Sequence, residues 1–215
     1  TSTPKTDVIL KNENMLLVDS GGQYLYGTTD ITRTIVLGPI NEKEKHCFTL
    51  ALKSHINLAS AKFLNNTYFS SLDCVARMPL WKEHLDYRYS TGHGVGYLLN
   101  VHEGPNTFRY TGGKILIEPG MITTNEPGIY VENEFGIRHE NEMLTVVDYE
   151  NEYGTFLKFE PITYVPFDLK GIDVKMLTQE EKDYLNKYHK MVYETISPYL
   201  NVKVKAFLRK MTKEI

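Results

Sequence analysis

Five short sequence contexts between residues 19 and 140 each present one side chain that can bind a metal ion. Four of these side chains are carboxylates and one is an imidazole: Asp19, Asp30, His93, Glu126 and Glu140. Carboxylates with one histidine are the ligand chemistry of a two-metal hydrolytic centre. Clustered carboxylates repel one another unless cations lie between them, and two divalent ions carry about the charge that balances four of them. The fold must therefore bring five distant parts of the chain to one site.

The five contexts have distinct local patterns, which are LVDSGG, GTTDITRT, TGHGVG, TNEPGIY and GIRHEN in chain order. The glycines on both sides of His93 allow the backbone to approach a bound substrate closely. A proline–glycine pair follows Glu126 and turns the chain before Glu140. This spacing indicates two strands that present facing carboxylates.

Taken singly, each of these residues has a simpler explanation. An aspartate before Ser-Gly-Gly usually bonds its own backbone in a turn, and Asp30 could cap a turn in the same way. The glycines around His93 could be tight-turn positions, and they lack the GxGxxG spacing of a dinucleotide-binding loop. Glu126 could end a solvated strand, and Glu140 lies in a charged run of the kind that usually faces water. The five contexts together favour one site.

The composition excludes several function classes. A chain of 215 residues with 41% hydrophobic residues and a net charge of −3 is typical of a globular protein, most simply of one domain, with two domains as the alternative. The chain has no excess of basic residues that would indicate nucleic-acid binding, and no apolar run is long enough to span a membrane. Cys47 and Cys74 lie in mostly apolar, helical-looking stretches, which favours reduced, buried thiols over a disulfide. Reduced thiols suit a reducing compartment, and the expected location is cytoplasmic.

The hydrophobic pattern predicts an α+β fold, with a mainly antiparallel sheet and helices on one face. Strands 15–19 and 31–37 are expected to pair as a hairpin that brings Asp19 close to Asp30. The other predicted elements are strands over 115–126, 143–147 and 156–163, a helix over 41–63, a helix capped by Ser70 and Ser71 that runs to about 84, and a helix after the capping box at Thr178.

At the level of its motifs the chain resembles the catalytic region of X-Pro aminopeptidases of the eukaryotic cytosolic kind. These enzymes are pita-bread metallopeptidases, as are methionine aminopeptidase and prolidase. The resemblance covers nearly the whole chain and rests on the five contexts in order, together with LNVHEGP over 99–105, which marks this branch. It implies a pita-bread fold, in which a curved, mainly antiparallel sheet carries helices on its outer face.

The resemblance also implies roles for the matching residues. Asp19 would bind one metal ion, Asp30 and Glu140 would bridge two, and His93 and Glu126 would bind the other. The ions would be Mn²⁺, in agreement with a mostly oxygen ligand set. Glu126 would also take a proton from the attacking water.

Three further residues receive roles from the resemblance. His102 would act as a catalytic residue with Glu126 and His93, by contacting the scissile carbonyl or stabilising the tetrahedral intermediate. The simpler alternative is that His102 is an ordinary strand histidine. Arg138 would orient an aspartate ligand and line the substrate pocket with His93 and His102. His139 stands where an apolar residue is expected and could tune the local charge.

One departure concerns the start of the chain. The catalytic domain of the family begins before its first metal-binding aspartate and contains another histidine there, at a position that would precede Thr1. We therefore expect the beginning of the domain to be missing, residues 1–200 to form the rest of it, and residues 201–215 to form a helical tail. The upstream part of the polypeptide would complete the domain.

The expected function is hydrolysis of the N-terminal Xaa-Pro bond of peptides whose second residue is proline, by a homodimeric enzyme without nucleic-acid or membrane partners. Prolidase and methionine aminopeptidase activities are alternatives, because those enzymes share all five ligands. A non-catalytic pita-bread module that binds protein or RNA is a further alternative, although such modules lose ligands.

Overall fold

The computed structural model describes residues 3–215, in which the strands of the first half are interrupted by helices and the C-terminal part is helical. The strands are β1 (Met15–Tyr24), β2 (Gly27–Val36), β3 (Lys62–Leu64), β4 (Gly92–Val95), β5 (His102–Phe108), β6 (Ile122–Asn125), β7 (Gly128–Val131), β8 (Phe135–Arg138), β9 (Asn141–Asn151) and β10 (Gly154–Pro161). The helices are α1 (Glu42–Ala59), α2 (Phe69–Trp81), α3 (Gln179–Ile196) and α4 (Val202–Met211).

All strand pairs in this part of the chain are antiparallel, as predicted. A six-stranded sheet has the order β3-β10-β9-β6-β4-β5, and β1–β2 and β7–β8 form separate hairpins. The β7–β8 hairpin leaves the large sheet between β6 and β9, where Asn125 pairs with Asn141. Glu126 and Glu140 are the next residues on the two strands, so the predicted arrangement of facing carboxylates is confirmed.

The predicted β1–β2 hairpin is also confirmed, with Asp19 paired with Thr32 and Asp30 paired with Gly21. Both strands extend beyond the predicted limits, because backbone pairing continues as far as Tyr24 and Gly27.

Two of the three predicted helices begin with a capping box, including the one predicted at Thr178. Asn41 and Thr178 each form a capping box, at the start of α1 and α3. The predicted cap of α2 by Ser70 and Ser71 is wrong, because Tyr68 is the N-cap residue and makes no side-chain cap bond. The chain enters α2 from a bridge with Leu116 instead, so tertiary pairing sets the helix start.

Two predicted elements are shorter than expected. The helix over 41–63 ends at Ala59, and Phe63 belongs to β3, where it pairs with Leu157. The strand over 115–126 is correct only over Ile122–Asn125, because the chain turns at Gly120, whose φ of +90° is in the left-handed region.

The core has two parts. On one face of the large sheet, Leu58 of α1 and Phe69 of α2 share a cluster with three strand residues, Phe108, Met143 and Leu157. Side chains of α1, α3 and the β7–β8 hairpin form the other part: Phe48, Leu52, Ile137, Leu185 and Val192. Because side chains alternate along a strand, the residues on either side of Met143 on β9 point to the opposite face, away from α1 and α2.

Both cysteines are free thiols. Cys47 is buried as predicted, whereas the burial predicted for Cys74 is wrong, since its side chain is half-buried. In residues 3–215 no helix combines the length and apolar character that a membrane span needs. Leu208 of α4 packs into the core beside α3, and the division of the chain at residue 200 stays a prediction.

Candidate metal centre

The predicted ligands lie on neighbouring strands that meet on the face opposite α1 and α2. The hairpin joins the large sheet at this point, since the Glu140 N–H donates to the Thr32 carbonyl over 3.1 Å. The His93 N–H donates to Thr124 Oγ1 over 3.0 Å, which fixes β4 against β6. Asp30, His93 and Glu140 are therefore carried by paired backbone.

Three overlapping groups of side chains each place their ligand atoms within 4.8 Å of one another. The groups are Asp19 with Asp30 and Glu140, His93 with Glu126 and Glu140, and Asp30 with His93 and His102. All five ligands predicted from the sequence thus lie in one cluster, with Glu140 common to two groups. The role of each residue within the cluster stays a prediction.

Glu140 is the most deeply placed carboxylate of the cluster and is only 1% exposed. Its Oε2 accepts a 2.6 Å hydrogen bond from Thr32 Oγ1. Burial raises the pKa of Glu140 to about 8, and the charges of Glu126 and Asp30 act in the same direction. The cluster therefore resists full ionisation unless cations balance it, which is the electrostatic signature of a metal site.

His93 places an unpaired nitrogen among these carboxylates. Its Nδ1 lies 2.8 Å from the Gly94 carbonyl, so Nδ1 is the protonated nitrogen of the neutral ring and Nε2 carries the lone pair. Nε2 is buried without a hydrogen-bond partner, 3.2 Å from Glu126 Oε1 and 3.4 Å from Asp30 Oδ2.

Burial lowers the pKa of His93, but the carboxylates of Asp30 and Glu126 outweigh it and raise the pKa to about 10. The surroundings of Nε2 thus require a positive charge, which either a proton or a metal ion provides. The donor set of carboxylates and one imidazole nitrogen fits divalent metal ions.

Arg138 connects the cluster to the cleft beside it. Its Nη2 donates to Asp19 Oδ2, and its Nε donates to Thr32 Oγ1 over 3.0 Å. Its Nη1 donates to the Tyr130 hydroxyl over 2.5 Å. Because Thr32 in turn donates to Glu140, one chain of hydrogen bonds orients two of the predicted ligands. The contact with Asp19 is the one that the resemblance implied for Arg138.

His102 is exposed and packs edge-on against His93, with ring centroids 4.2 Å apart and an interplanar angle of 85°. It lies on β5, which pairs with β4. A ring nitrogen of His102 also lies within 4.8 Å of possible ligand atoms of Asp30 and His93. Its predicted role as a catalytic group that is not a ligand therefore needs a direct test.

An open cleft of about 740 Å³ lies beside the cluster. Its lining includes four residues with predicted roles, Asp19, His102, Glu126 and Arg138. Aromatic residues that no sequence motif marked, among them Tyr89 and Tyr130, line the cleft as well. The Tyr89 hydroxyl donates to the Glu126 carbonyl over 3.1 Å and lies 3.3 Å from the Tyr130 hydroxyl.

Two residues of the charged run around Glu140 differ from expectation. His139 is fully buried with its Nε2 3.2 Å from the Phe48 carbonyl. Burial, together with the charge of Arg33, lowers its pKa to about 3, so the proposed tuning of charge by His139 is wrong. Glu142 is buried too, and burial followed by the charge of Asp30 raises its pKa to about 7. The burial of Glu142 was not predicted, because a run of charged residues usually faces water.

Comparisons with known proteins agree with this geometry. Residues 1–146 match the family model of metallopeptidase family M24, and residues 155–215 match that of the C-terminal region of peptidase M24. Aminopeptidase P1 of Arabidopsis thaliana is 43% identical over 218 aligned residues, which cover 99% of this chain and 34% of the relative. Xaa-Pro aminopeptidase 1 of Dictyostelium discoideum is 44% identical, over 87% of this chain and 30% of the relative. The chain thus spans about a third of the length of these curated relatives.

The similarity to solved structures is higher for an X-prolyl aminopeptidase than for a prolidase. The X-prolyl aminopeptidase of Caenorhabditis elegans, described as a cytosolic enzyme with a di-nuclear active site, matches with a TM-score of 0.87 and 38% identity, over 94% of this chain and 34% of that one. The prolidase of Pyrococcus furiosus matches with a TM-score of 0.57 and 29% identity, over 67% of this chain and 40% of that one.

Proposed function

Because this chain belongs to metallopeptidase family M24 and has its pita-bread fold, we propose that it carries the metal centre of an X-Pro aminopeptidase. Such an enzyme hydrolyses the bond between the N-terminal residue of a peptide and a proline in second position. The observation that carries the proposal is the cluster itself, in which five side chains from five sequence contexts bring their ligand atoms together.

We propose that the cluster holds two divalent metal ions. Asp19 would bind one ion, His93 and Glu126 the other, and Asp30 and Glu140 both. The overlap of the ligand groups at Glu140 and the position of Asp30, within reach of both Asp19 and His93, support this division. Mn²⁺ suits a donor set made mostly of carboxylate oxygens. When bound, the ions would polarise the scissile carbonyl and lower the pKa of water in the site.

The side chains of this chain would then perform the proton transfers. Glu126 faces the cleft, and its carboxylate would accept a proton from the attacking water and deliver it to the prolyl nitrogen as the peptide bond breaks. His102 lies at the same cleft and would donate a hydrogen bond to the oxygen that gains charge in the tetrahedral intermediate. Arg138 would hold Asp19 in its ligand orientation through the bond that it donates.

The comparisons support X-Pro aminopeptidase over the other activities of the family. The X-prolyl aminopeptidase from C. elegans covers 94% of this chain at a TM-score of 0.87, whereas the prolidase from P. furiosus covers 67% at 0.57. The description of the C. elegans enzyme as cytosolic supports a cytoplasmic location for this protein. A homodimer and completion of the domain by upstream residues stay predictions.

The test is a substrate comparison with Mn²⁺ on the protein purified from its native source. Xaa-Pro-Yaa tripeptides, Xaa-Pro dipeptides and Met-Ala-Yaa tripeptides are offered separately, and kcat/KM is measured for each. The proposal expects cleavage of the tripeptides with proline in second position. Cleavage of dipeptides alone would indicate a prolidase, and removal of methionine from Met-Ala-Yaa would indicate a methionine aminopeptidase. Bound metal without any hydrolysis would favour a binding module.

A further inference from the structure

A buried carboxylate outside the predicted ligand set lines a separate cavity. Glu142 on β9 is 6% exposed, and its Oε1 has no hydrogen-bond partner among the described residues. An unpaired oxygen of a buried carboxylate costs free energy, because it has lost its water without gaining a donor. A ligand that brings a positively charged donor to Glu142 would remove this cost.

The cavity that Glu142 lines has a volume of about 480 Å³ and lies between the tip of the β1–β2 hairpin and β4. Its walls are mostly aromatic and aliphatic side chains: Tyr24, Tyr26, Val95, Tyr97, Ile122 and Ile162. Among the lining residues, all of which belong to the described part of the chain, Glu142 alone is charged. The cavity thus combines an apolar wall with a single buried carboxyl group.

This combination selects a particular ligand chemistry. Apolar and aromatic walls shield the alkyl stem of a lysine or arginine side chain from water. Tyrosine rings attract a cation that lies over their faces. A carboxylate at one end forms a charge-assisted hydrogen bond with an ammonium or guanidinium group. A neutral apolar ligand would leave Glu142 Oε1 unpaired, and an anionic ligand would be repelled.

The cavity adjoins the predicted metal centre. Met143 packs against α1 and α2, so Glu142 points to the same face of β9 as Glu140, roughly 7 Å further along the strand. Thr29, which lines the cavity, is the residue before Asp30. The cavity therefore lies beside the metal centre, with lining residues close in sequence to Asp30 and Glu140, although its lining is separate from that of the cleft.

We propose that this cavity binds a primary ammonium or guanidinium group on an apolar stem, and that the group is the side chain of an N-terminal lysine or arginine in a substrate peptide. This inference rests on the proposed aminopeptidase function, in which the N-terminal residue is held at the metal centre. The side chain of that residue then extends past Asp30 towards Glu142.

The experiment compares Lys-Pro-Ala with norleucine-Pro-Ala, in the presence of Mn²⁺, on the wild-type protein from its native source and on a Glu142→Gln variant. Norleucine has the same alkyl stem as lysine and lacks the ammonium group. We expect the wild type to prefer the lysine peptide in kcat/KM by roughly tenfold or more, which is the size of one charged hydrogen bond. The Glu142→Gln variant is expected to lose the preference. Because the readout is a ratio within one protein, partial unfolding of the variant does not imitate the result.

Glu150→Gln is the matched control, since Glu150 is an exposed carboxylate on the same strand and outside the cavity. It should keep the preference for lysine. Turnover of norleucine-Pro-Ala by the wild type tests the proposed function separately from the lysine preference.

A second measurement separates a substrate side chain from a free amine. Addition of n-butylamine should raise the melting temperature of the wild type and leave that of Glu142→Gln unchanged. If n-butylamine raises the melting temperature but the wild type shows no lysine preference, the cavity binds a free amine and the assignment to a substrate side chain is wrong. Equal kcat/KM for the two peptides, together with no effect of n-butylamine, would overturn the proposal.

Discussion

Thr32 Oγ1 donates a 2.6 Å hydrogen bond to Glu140 Oε2 and so joins the β1–β2 hairpin to the large sheet at the centre of the ligand cluster. The same hydroxyl accepts a bond from Arg138 Nε, and Arg138 in turn holds Asp19. One buried threonine therefore contacts Glu140 directly and is linked to Asp19 through Arg138. Residues of this kind fix the orientation of the ligands, and their loss weakens metal binding.

Replacement of Thr32 by valine keeps the volume of the side chain and removes the hydroxyl. We expect metal affinity to fall by roughly 10–100-fold, the usual effect of removing a group that orients a ligand. The affinity for Mn²⁺ is measured by calorimetry, with Thr32→Ser as a variant that retains the hydroxyl. Thr34→Val is the matched control, because Thr34 is equally buried on β2 and bonds only the backbone of Arg138. A similar loss of affinity in both valine variants would refute a specific role for Thr32.

Removal of the metal should lower the melting temperature. Burial and the charges of Glu126 and Asp30 raise the pKa of Glu140, so the cluster gains stability when cations balance its carboxylates. An ion that binds only the folded state stabilises it by about 2.7 kcal/mol when its concentration is 100 times the dissociation constant. The measurement is a thermal melt with chelator and again after Mn²⁺ is restored. Identical melting temperatures in the two states would mean that the five side chains hold no ion.

Replacement of Glu126 by glutamine should abolish most of the turnover. Glutamine retains one oxygen for a metal ion but cannot accept a proton, and loss of a general base usually costs about 10²–10⁴-fold in rate. We expect the variant to remain folded and to bind metal, with a much lower kcat on an Xaa-Pro-Yaa peptide. Glu118→Gln, at an exposed carboxylate outside the cleft, is the control and should have the wild-type rate. A normal kcat at full metal occupancy would remove Glu126 from the role of base.

His102→Ala distinguishes a catalytic group from a ligand. If His102 acts on the substrate, kcat falls while metal content, measured by elemental analysis, is unchanged. The alternative is that His102 binds a metal ion, because one of its nitrogens lies close to possible ligand atoms of Asp30 and His93. Loss of bound metal in proportion to activity would show that His102 is a ligand.

Local patterns were sufficient to predict the parts of the site that depend on sequence spacing. Glu126 and Glu140 face each other because the β7–β8 hairpin connects the paired strands next to them. The turn predicted at the Pro-Gly pair is wrong in position, since the glycine of the pair begins β7 and the chain turns around Asn133. Glu142 could not be placed from the sequence, because its burial depends on the strands that pack beside β9. The contact between Thr32 and Glu140 spans 108 positions and follows no local pattern.

The same limit explains the errors in the fold. Ser70 and Ser71 are good capping residues, yet the Phe69 N–H bonds the Ile115 carbonyl and the helix starts there without their side chains. Tertiary pairing thus overrides a local preference that contributes about 1 kcal/mol.

Stability should fall in mild acid because His189 is buried in its neutral form. The Phe167 N–H donates to His189 Nε2 over 3.1 Å, and that bond requires an unprotonated nitrogen. Burial, followed by the charge of Arg33, lowers the pKa of His189 to about 4, whereas the unfolded chain has a value near 6.5. A lowered pKa means that the unfolded state binds the proton first. The contribution of His189 is therefore complete above pH 6.5 and decreases as the pH falls towards 4.

The predicted change in the free energy of unfolding can be measured by chemical unfolding at pH 7.5 and pH 5.5 with Mn²⁺ present. From the two pKa values, His189 should account for a loss of about 1 kcal/mol in the free energy of unfolding between these pH values. His189→Gln offers a neutral oxygen as acceptor to the Phe167 N–H, so the variant is expected to lose about 1 kcal/mol less than the wild type over the same interval. Equal losses in the two proteins would show that His189 takes up its proton in the folded state as readily as in the unfolded chain.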